Sequence, residues 1–238
     1  MSQEVVEPTK PAEPQNPFPE YPKIQSIFKR DEKTHKFIES EWGLPEFEYL
    51  KNNTWQWAEK IDGTGVRARW NPAASQISFR GRTDKASLPP FLLARLQQIF
   101  TADKLIAIFP DLPVCIYGEG FGNRIQKAGK DYLPSGVDFI LFDIRIGRWW
   151  LRRADLEDIA ARLGIHIVPI IGQGTLIEAI ELIKAKKLKS VFGDFLAEGL
   201  VLRPVIELRD RTGQRIIAKL KHKDFPEGEN LGHEIEQK

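Results

Sequence analysis

Apolar and polar residues alternate along two neighbouring stretches of the chain. Residues 64–70 and 75–80 place apolar side chains at every second position, as half-buried antiparallel strands do, and Asn71-Pro72 predicts the turn between them. A nearly continuous apolar run at residues 139–144 predicts a central strand. Further strands are predicted at residues 114–117, 149–151, 165–171, 200–203 and 216–221.

Helical spacing marks three other segments. Residues 88–105 open with two prolines and carry Leu92, Leu93, Leu96 and Ile99 on one face, which predicts an amphipathic helix covering the sheet. Residues 152–163 and 174–187 predict two more helices, the first of which ends at Gly164.

The two ends of the chain differ in composition from its middle. Residues 1–22 contain six prolines among charged residues, which predicts a disordered, proline-rich tail. We expect one folded domain over residues 23–225 and a short polar tail at 226–238. The whole chain is 42% hydrophobic and 29% charged, which is ordinary for a domain with a core. We find no pattern of a membrane span or a signal peptide.

Net charge limits how a polyanion could bind, and cysteine content indicates the cellular compartment. The formal net charge of +2 is close to zero, so any site for a polyanion must come from local clustering of cations. The single cysteine, Cys115, lies in an apolar run and cannot form an internal disulfide, which favours an intracellular protein.

The candidate nucleophile is Lys60, in the segment Glu59-Lys60-Ile61-Asp62-Gly63-Thr64-Gly65. A lysine attacks only as the neutral amine, so we expect burial and neighbouring cations to lower its pKa. Gly63 and Gly65 can adopt backbone angles closed to other residues and let a phosphate approach the main chain. Taken alone, this pattern more often marks a hairpin turn with an exposed lysine, so the interpretation depends on the rest of the chain.

Further segments follow in a characteristic order. They are Lys60-Ile61-Asp62-Gly63, Phe79-Arg80-Gly81-Arg82, Tyr117-Gly118-Glu119, Asp138-Phe139-Ile140-Leu141-Phe142-Asp143, Glu198-Gly199-Leu200-Val201-Leu202-Arg203 and Ala218-Lys219-Leu220-Lys221. In this order they resemble motifs I, Ia, III, IIIa, IV and V of the covalent nucleotidyltransferases, which comprise polynucleotide ligases and mRNA capping enzymes. The chain most closely resembles the phage-type RNA ligase 2 family, over about residues 21–225.

The resemblance implies an α+β fold. We expect an ATP-grasp-like ligase adenylation domain, in which antiparallel sheets enclose an ATP cleft, helices flank them and no C-terminal oligonucleotide-binding (OB) domain follows. The implied function is an ATP-dependent RNA ligase that uses Mg²⁺ or Mn²⁺ and acts on RNA ends or nicks. We expect a monomer in the cytoplasm, including the host cytoplasm if a phage encodes it.

The resemblance also implies roles for particular residues. Lys219 and Lys221 alternate on a strand, so both point to one face, where they would contact the α-phosphate and lower the pKa of Lys60. Glu119 would bind the ribose and Glu198 a hydrated metal ion. Phe139 would stack on the base, although an aromatic residue in an apolar strand is usually core. The expected cofactor-binding residues are Glu59, Lys60, Gly63, Arg67, Arg80, Glu119, Phe139, Glu198, Lys219 and Lys221, of which Lys60, Arg80, Glu198, Lys219 and Lys221 act in catalysis.

Some alternatives remain open. DNA ligases and capping enzymes place an arginine where this chain has Gly65, whereas Asp62 matches DNA ligases and replaces the histidine of the phage prototype. A minimal DNA nick ligase is therefore one alternative. A degenerate relative that only binds RNA ends or nucleotide is another, although the intact catalytic set argues against it. Lys29 and Arg30 are either solvated surface residues or a grip on the triphosphate or the RNA 5′ end.

Overall fold

Sheets and helices alternate irregularly along residues 19–226, the part of the chain that the computed structural model describes. The strands are β1 (Gln25–Ser26), β2 (Phe28–Arg30), β3 (Phe37–Trp42), β4 (Trp55–Lys60), β5 (Thr64–Asn71), β6 (Gln76–Gly81), β7 (Val114–Gly122), β8 (Val137–Ile146), β9 (Trp149–Trp150), β10 (His166–Ile167), β11 (Ile170–Gly174), β12 (Gly199–Pro204) and β13 (Ala218–Lys221). The helices are α1 (Pro45–Tyr49), α2 (Pro90–Ile99), α3 (Ala102–Ile108), α4 (Gly129–Tyr132), α5 (Arg153–Leu163) and α6 (Leu176–Lys184). None of these helices is long and apolar enough to span a bilayer.

Two mostly antiparallel sheets form the frame. The first has the strand order β1-β13-β12-β4-β11, and the second has the order β10-β8-β7-β5-β6, with β9 paired to β8. A separate hairpin consists of β2 and β3. The α+β architecture with antiparallel sheets is thus confirmed, as are the 64–70/75–80 hairpin and the pairing of residues 149–150 with the central strand.

Each sheet has its own hydrophobic core. In the first, Leu176, Ala179, Ile180 and Ile183 of α6 pack with Trp55 and the buried leucines of β12 and β13. Helix α6 begins as its sequence predicts, because Thr175 and Glu178 form a reciprocal capping box. In the second sheet, apolar residues of α2, α3 and α5 cover β5, β7 and β8. Both sheets therefore have a helical side and a side that is free to form a site.

The predicted helix over residues 88–105 is two helices. Leu92, Leu96 and Ile99 are buried as expected, but α2 ends at Ile99 and α3 begins at Ala102. The Thr101 hydroxyl accepts a hydrogen bond from the Lys104 amide, so Thr101 serves as the N-cap of a new helix. This cap competes with continuation of α2.

The predicted strand over residues 165–171 is divided between the two sheets. Its first part, β10, pairs with β8, and its second part, β11, pairs with β4. Pro169 separates them, since proline has no amide hydrogen to donate to a sheet, while its carbonyl accepts from the Glu59 amide at 3.0 Å. The chain therefore crosses from one sheet to the other beside β4, the strand that ends at Lys60.

The predicted tail at residues 1–22 extends too far. Residues 1–18 lie outside the described residues, as do residues 227–238 of the predicted C-terminal tail, but residues 19–22 pack on the domain. The ring of Tyr21 lies edge-on to those of Tyr117, Phe142 and Trp150, with ring centroids 5.0–5.4 Å apart. These partners are far away in sequence, so the proline content of residues 1–22 could not predict the contacts.

Candidate nucleotidyl-transfer site

A cavity of about 460 Å³ lies between the two sheets. Strands β4, β12 and β13 of the first sheet and β5, β7 and β8 of the second contribute to its wall. Cations and a carboxylate cluster at one end, and aromatic residues lie towards the other. The residues that matter most below are Lys60, Glu119, Phe142, Arg203, Lys219 and Lys221.

The strand register brings the predicted catalytic residues together. Lys60 at the end of β4 and Lys221 at the end of β13 both lie opposite Gly199, the first residue of β12. Glu198 directly precedes this glycine, so its carboxylate reaches both lysines, Lys60 at 2.8 Å and Lys221 at 2.5 Å. A Cβ at position 199 would collide with the backbone of Leu220, so the close approach requires glycine.

The electrostatics of Lys60 differ from the prediction. Burial alone would lower the pKa of its amine, but the carboxylates of Glu198, Glu119 and Asp62 outweigh burial and raise the pKa. We expected neighbouring cations to favour the neutral amine, and this expectation is wrong for the ligand-free protein. Lys60 is therefore held as an ammonium group, which would have to lose its proton before it could act as a nucleophile.

Glu198 is the shared partner of two cations. Burial raises the pKa of its carboxyl group, but the ion pairs with Lys60 and Lys221 outweigh burial and lower it. An ionised carboxylate suits Mg²⁺, which prefers oxygen ligands and retains several waters. Within residues 19–226 no group of three or more acidic, histidine or cysteine residues is arranged to hold a metal. A single ionised carboxylate such as Glu198 fits a largely hydrated ion.

Lys219 lies two residues before Lys221 and also lines the cavity, which confirms that the two lysines share one face of β13. Burial, together with the charges of Lys221, Arg30, Lys60 and Lys23, lowers the pKa of Lys219. In the described part of the chain Lys219 forms no ion pair with a carboxylate. Such an excess of positive charge favours binding of an anion at this end.

The turn that follows Lys60 packs tightly on β7. A Cβ at Gly63 would lie 2.6 Å from Glu119 Cγ and would collide with the Gly120 carbonyl. A loop after β7 supports the same turn, since Gln126 donates to the Gly63 carbonyl and the Tyr132 hydroxyl accepts from the Asp62 amide. Gly63 is therefore needed for packing, which alone explains its presence without a direct ligand contact.

Glu119 lines the cavity beside this turn. Burial raises the pKa of its carboxyl group to about 7, against the opposing effect of Lys60 and with support from Glu198 and Asp62. A carboxyl group that is partly protonated near neutral pH can both donate and accept hydrogen bonds. Its position and chemistry fit the predicted contact with ribose hydroxyls.

Phe139 does not reach the cavity. Its side chain is fully buried, 5.2 Å from the ring of Phe100, and a Cβ at Gly118 would collide with its ring. Phe142 lines the cavity instead. The pairing of β7 with β8 shifts register so that Tyr117 faces Asp143 and Gly118 faces Leu141, which leaves Phe142 in a bulge that turns its ring towards the cavity.

Arg80 is also not a cavity residue. It lies within β6 opposite Arg67, its side chain is exposed, and the strand continues to Gly81. The chain that leaves β6 brings Arg82 to the cavity wall. Sequence reasoning ended the strand one residue too early and so selected the arginine on the sheet rather than the one beyond it.

Arg67 and Glu59 have structural partners. Arg67 is buried in the cavity wall and donates to the Gly81 carbonyl and to Asp84, both at 2.8 Å. Glu59 contributes to the wall, but its carboxylate accepts from the Ser190 hydroxyl at 2.6 Å and the Val191 amide at 3.0 Å. Both side chains therefore stabilise the walls around the site, and only their remaining surface is open to a ligand.

The hypotheses for Lys29 and Arg30 can now be compared. Lys29 is exposed and pairs with Glu41 at 3.0 Å, which supports the solvated-surface interpretation. Arg30 forms a two-pronged ion pair with the buried Asp224, so its charge is already used within the fold.

Sequence reasoning missed a polar network at the aromatic end. The Tyr21 hydroxyl donates to Asp143 at 2.8 Å, and Arg203 and Arg215 donate to the same carboxylate oxygen at 3.1 and 2.6 Å. The Arg215 guanidinium also lies 3.9 Å from the ring centroid of Trp150. Asp143 and Arg203 belong to the motif segments and could have been found there, whereas Tyr21 and Arg215 carried no signal.

The raised pKa of Glu119 predicts pH-dependent stability. The folded protein retains the Glu119 proton up to a pKa of about 7, whereas the unfolded chain releases it near 4.5. The folded state binds more protons between these values, so this residue's contribution to the unfolding free energy falls as pH rises from about 4.5 to 7. Urea denaturation of ligand-free protein should show a flatter pH profile for Glu119→Gln than for the wild type. Equal slopes would contradict the assignment.

Comparisons with known proteins agree with this geometry. Solved structures of an RNA ligase from Naegleria gruberi share the fold. One mutant with ATP and Mn aligns with a TM-score of 0.58 and 19% identity, over 87% of this chain and 63% of that chain. The same ligase with PPi aligns with a TM-score of 0.58 and 19% identity, over 90% and 62%. A mutant with AMP and Mn aligns with a TM-score of 0.58 and 18% identity, over 86% of this chain and 60% of that chain.

The chain thus spans about three fifths of the length of these solved proteins. Comparison with curated proteins gave no sequence match. The RNA ligase family model, in contrast, matches residues 53–221, more than two thirds of the chain, and this segment includes Lys60, Glu198 and Lys221. The chain belongs to the RNA ligase family.

Proposed function

We propose that the protein is an ATP-dependent RNA ligase that joins 5′-phosphate and 3′-hydroxyl ends through a lysyl-AMP intermediate on Lys60. The observation that carries the proposal is the contact of the Glu198 carboxylate with both Lys60 and Lys221 at one end of the cavity. Membership of the RNA ligase family supports it. The fold shared with a ligase solved with ATP, AMP, Mn and PPi also supports it.

The first step is attack of the Lys60 amine on the α-phosphate of ATP with expulsion of pyrophosphate. Lys60 must first be freed from Glu198 and lose its proton, because an ammonium group has no lone pair. When a hydrated Mg²⁺ or Mn²⁺ is bound, it neutralises charge on the transferring phosphate. Glu198 is the residue that would hold it, and in doing so it would release Lys60. Lys219 and Lys221 meet the charge of the α-phosphate.

The next two steps use the same cations. AMP passes from Lys60 to a polynucleotide 5′-phosphate, and a 3′-hydroxyl then displaces AMP to close the strand. Each step is an in-line displacement at phosphorus, so a fixed set of positive groups can serve all three. Lys219 suits this role because its charge has no carboxylate partner within residues 19–226.

The remaining contacts follow from the cavity wall. Phe142 offers the aromatic surface for the adenine base, and Glu119 lies where the ribose hydroxyls would be. Arg82, which lines the cavity, takes the role that the resemblance gave to Arg80. We further propose that the protein acts on RNA in the cytoplasm as a monomer. An enzyme of this kind would repair RNA breaks.

Covalent labelling tests the proposed function directly. Incubation with α-labelled ATP and Mg²⁺ should label the wild-type protein, and Lys60→Ala should remain unlabelled because its nucleophile is gone. Lys187→Ala is a matched control, since this exposed lysine lies outside the site, and it should label normally. Absence of label on the wild type would favour a protein that only binds nucleotide or RNA ends.

Substitutions of two phenylalanines distinguish recognition of the base from packing of the core. Phe142→Ala should weaken ATP binding in the adenylylation assay by about tenfold, since stacking on an aromatic ring is worth roughly 1–3 kcal/mol per base. Phe139→Ala should instead lower the unfolding free energy by about 3–5 kcal/mol, because it removes a fully buried ring. Urea denaturation and the KM for ATP distinguish the two effects. A normal KM in Phe142→Ala would exclude it as the base platform.

The substrate preference is tested with nicked duplexes. The terminal nucleotides on the 3′-hydroxyl side are switched between ribose and deoxyribose, and preadenylylated 5′ ends isolate the last step. We expect faster sealing of the ribose nick, because a 2′-hydroxyl offers an additional hydrogen-bonding group beside the site. The preference is measured as the ratio of single-turnover rates. Equal or faster sealing of the all-deoxy nick would favour a DNA nick ligase.

A further inference from the structure

The N-terminal segment forms the part of the cavity wall beside β13. Strand β1 pairs in parallel with β13, with Ser26 opposite Lys219, and the Ile27 amide donates to the Lys219 carbonyl at 3.1 Å. The chain that enters β1 therefore runs along the cavity, and Tyr21, Pro22, Lys23 and Ile24 all line it. This segment lies before the 53–221 region that matches the family, so the family match assigns nothing to it.

The positions of these residues are fixed at both ends. The Tyr21 hydroxyl is bonded to Asp143, Arg203 and Arg215, and β1 is anchored to β13 two residues after Lys23. Pro22 between them restricts the backbone further. Lys23 is therefore carried on a short, anchored stretch, and its side chain stands exposed at the mouth of the cavity.

Among the four lysines that line the cavity, a comparison of charges singles out Lys23 and Lys219. Lys60 and Lys221 share the Glu198 carboxylate, and Arg30 pairs with the buried Asp224. In the part of the chain that the structure describes, Lys23 and Lys219 have no carboxylate within ion-pair distance. Both line the same cavity, and Ser26, three residues after Lys23, lies opposite Lys219. Unneutralised like charges at one cavity are unfavourable until an anion binds between them.

We propose that Lys23 binds a phosphate group next to the one that Lys219 and Lys221 hold. This inference rests on the proposed function, which places the α-phosphate at the two lysines of β13. The neighbouring phosphate belongs either to the β- and γ-phosphates of ATP or to the 5′ end of the RNA strand. Both must pass the cavity mouth, the first as departing pyrophosphate and the second as an entering substrate. A lysine suits either, since its flexible stem carries a compact charge with three donors.

The experiment compares Lys23→Ala, Lys23→Arg and Lys33→Ala. Lys33 is an exposed lysine of the β2–β3 turn outside the cavity, so it controls for the loss of one surface charge. One arm measures the KM for ATP in self-adenylylation and the pyrophosphate concentration that reverses it. The other arm measures transfer of AMP from adenylylated protein to a 5′-phosphorylated RNA. Thermal unfolding confirms that each variant folds.

We expect Lys23→Ala to lose about tenfold in one arm, the cost of one charge-assisted hydrogen bond, and Lys23→Arg to retain most of that function. A loss confined to the ATP and pyrophosphate arm identifies the β- and γ-phosphates, and a loss confined to AMP transfer identifies the RNA 5′-phosphate. Unchanged values in both arms, or an equal loss in Lys33→Ala, would overturn the inference while leaving the proposed function intact. Failure of the wild type to accept AMP would overturn both.

Discussion

The site is organised around one carboxylate that serves two lysines. Glu198 holds Lys60 and Lys221 because β12 lies between β4 and β13, and because Gly199 lets the strands approach closely at that point. The arrangement stabilises the ligand-free site, since burial of two uncompensated ammonium groups would be costly. It also keeps the nucleophile protonated. In the proposed reaction, release of Lys60 therefore requires a ligand that competes for Glu198, and this would couple activation of Lys60 to occupancy of the cavity.

Much of the fold follows from local sequence patterns. The β5–β6 hairpin, the central strand β8 and helix α6 each have periodicity or capping residues that act over a few positions. The errors occur where a single residue interrupts an otherwise periodic run. Thr101 ends one helix and begins another, and Pro169 divides a single apolar run between two sheets. Periodicity alone cannot reveal which sheet a strand joins.

The candidate site shows the same division. The lysines of β4 and β13 and the acidic residues beside glycines could be selected from their motifs. The lysines and Glu119 line the cavity, and Glu198 contacts two of those lysines. The proposed base contact could not, because the resemblance pointed to Phe139, and the bulge that turns Phe142 towards the cavity depends on the pairing of β8 with β7. The charge state of Lys60 was also hidden, since it depends on which of several nearby carboxylates approaches most closely. Pairing register and local dielectric are tertiary properties.

The network around Asp143 joins parts of the molecule that the cavity otherwise separates. Asp143 belongs to β8 of the second sheet and Arg203 to β12 of the first, and the Tyr21 hydroxyl bridges them. At the aromatic end of the cavity, hydrogen bonds and ion pairs thus connect the two sheets. The short connection from Lys60 to Thr64 joins the two sheets at the other end, where the turn at Gly63 packs on β7. The separation of the two cavity walls is therefore set at both ends by contacts within the protein.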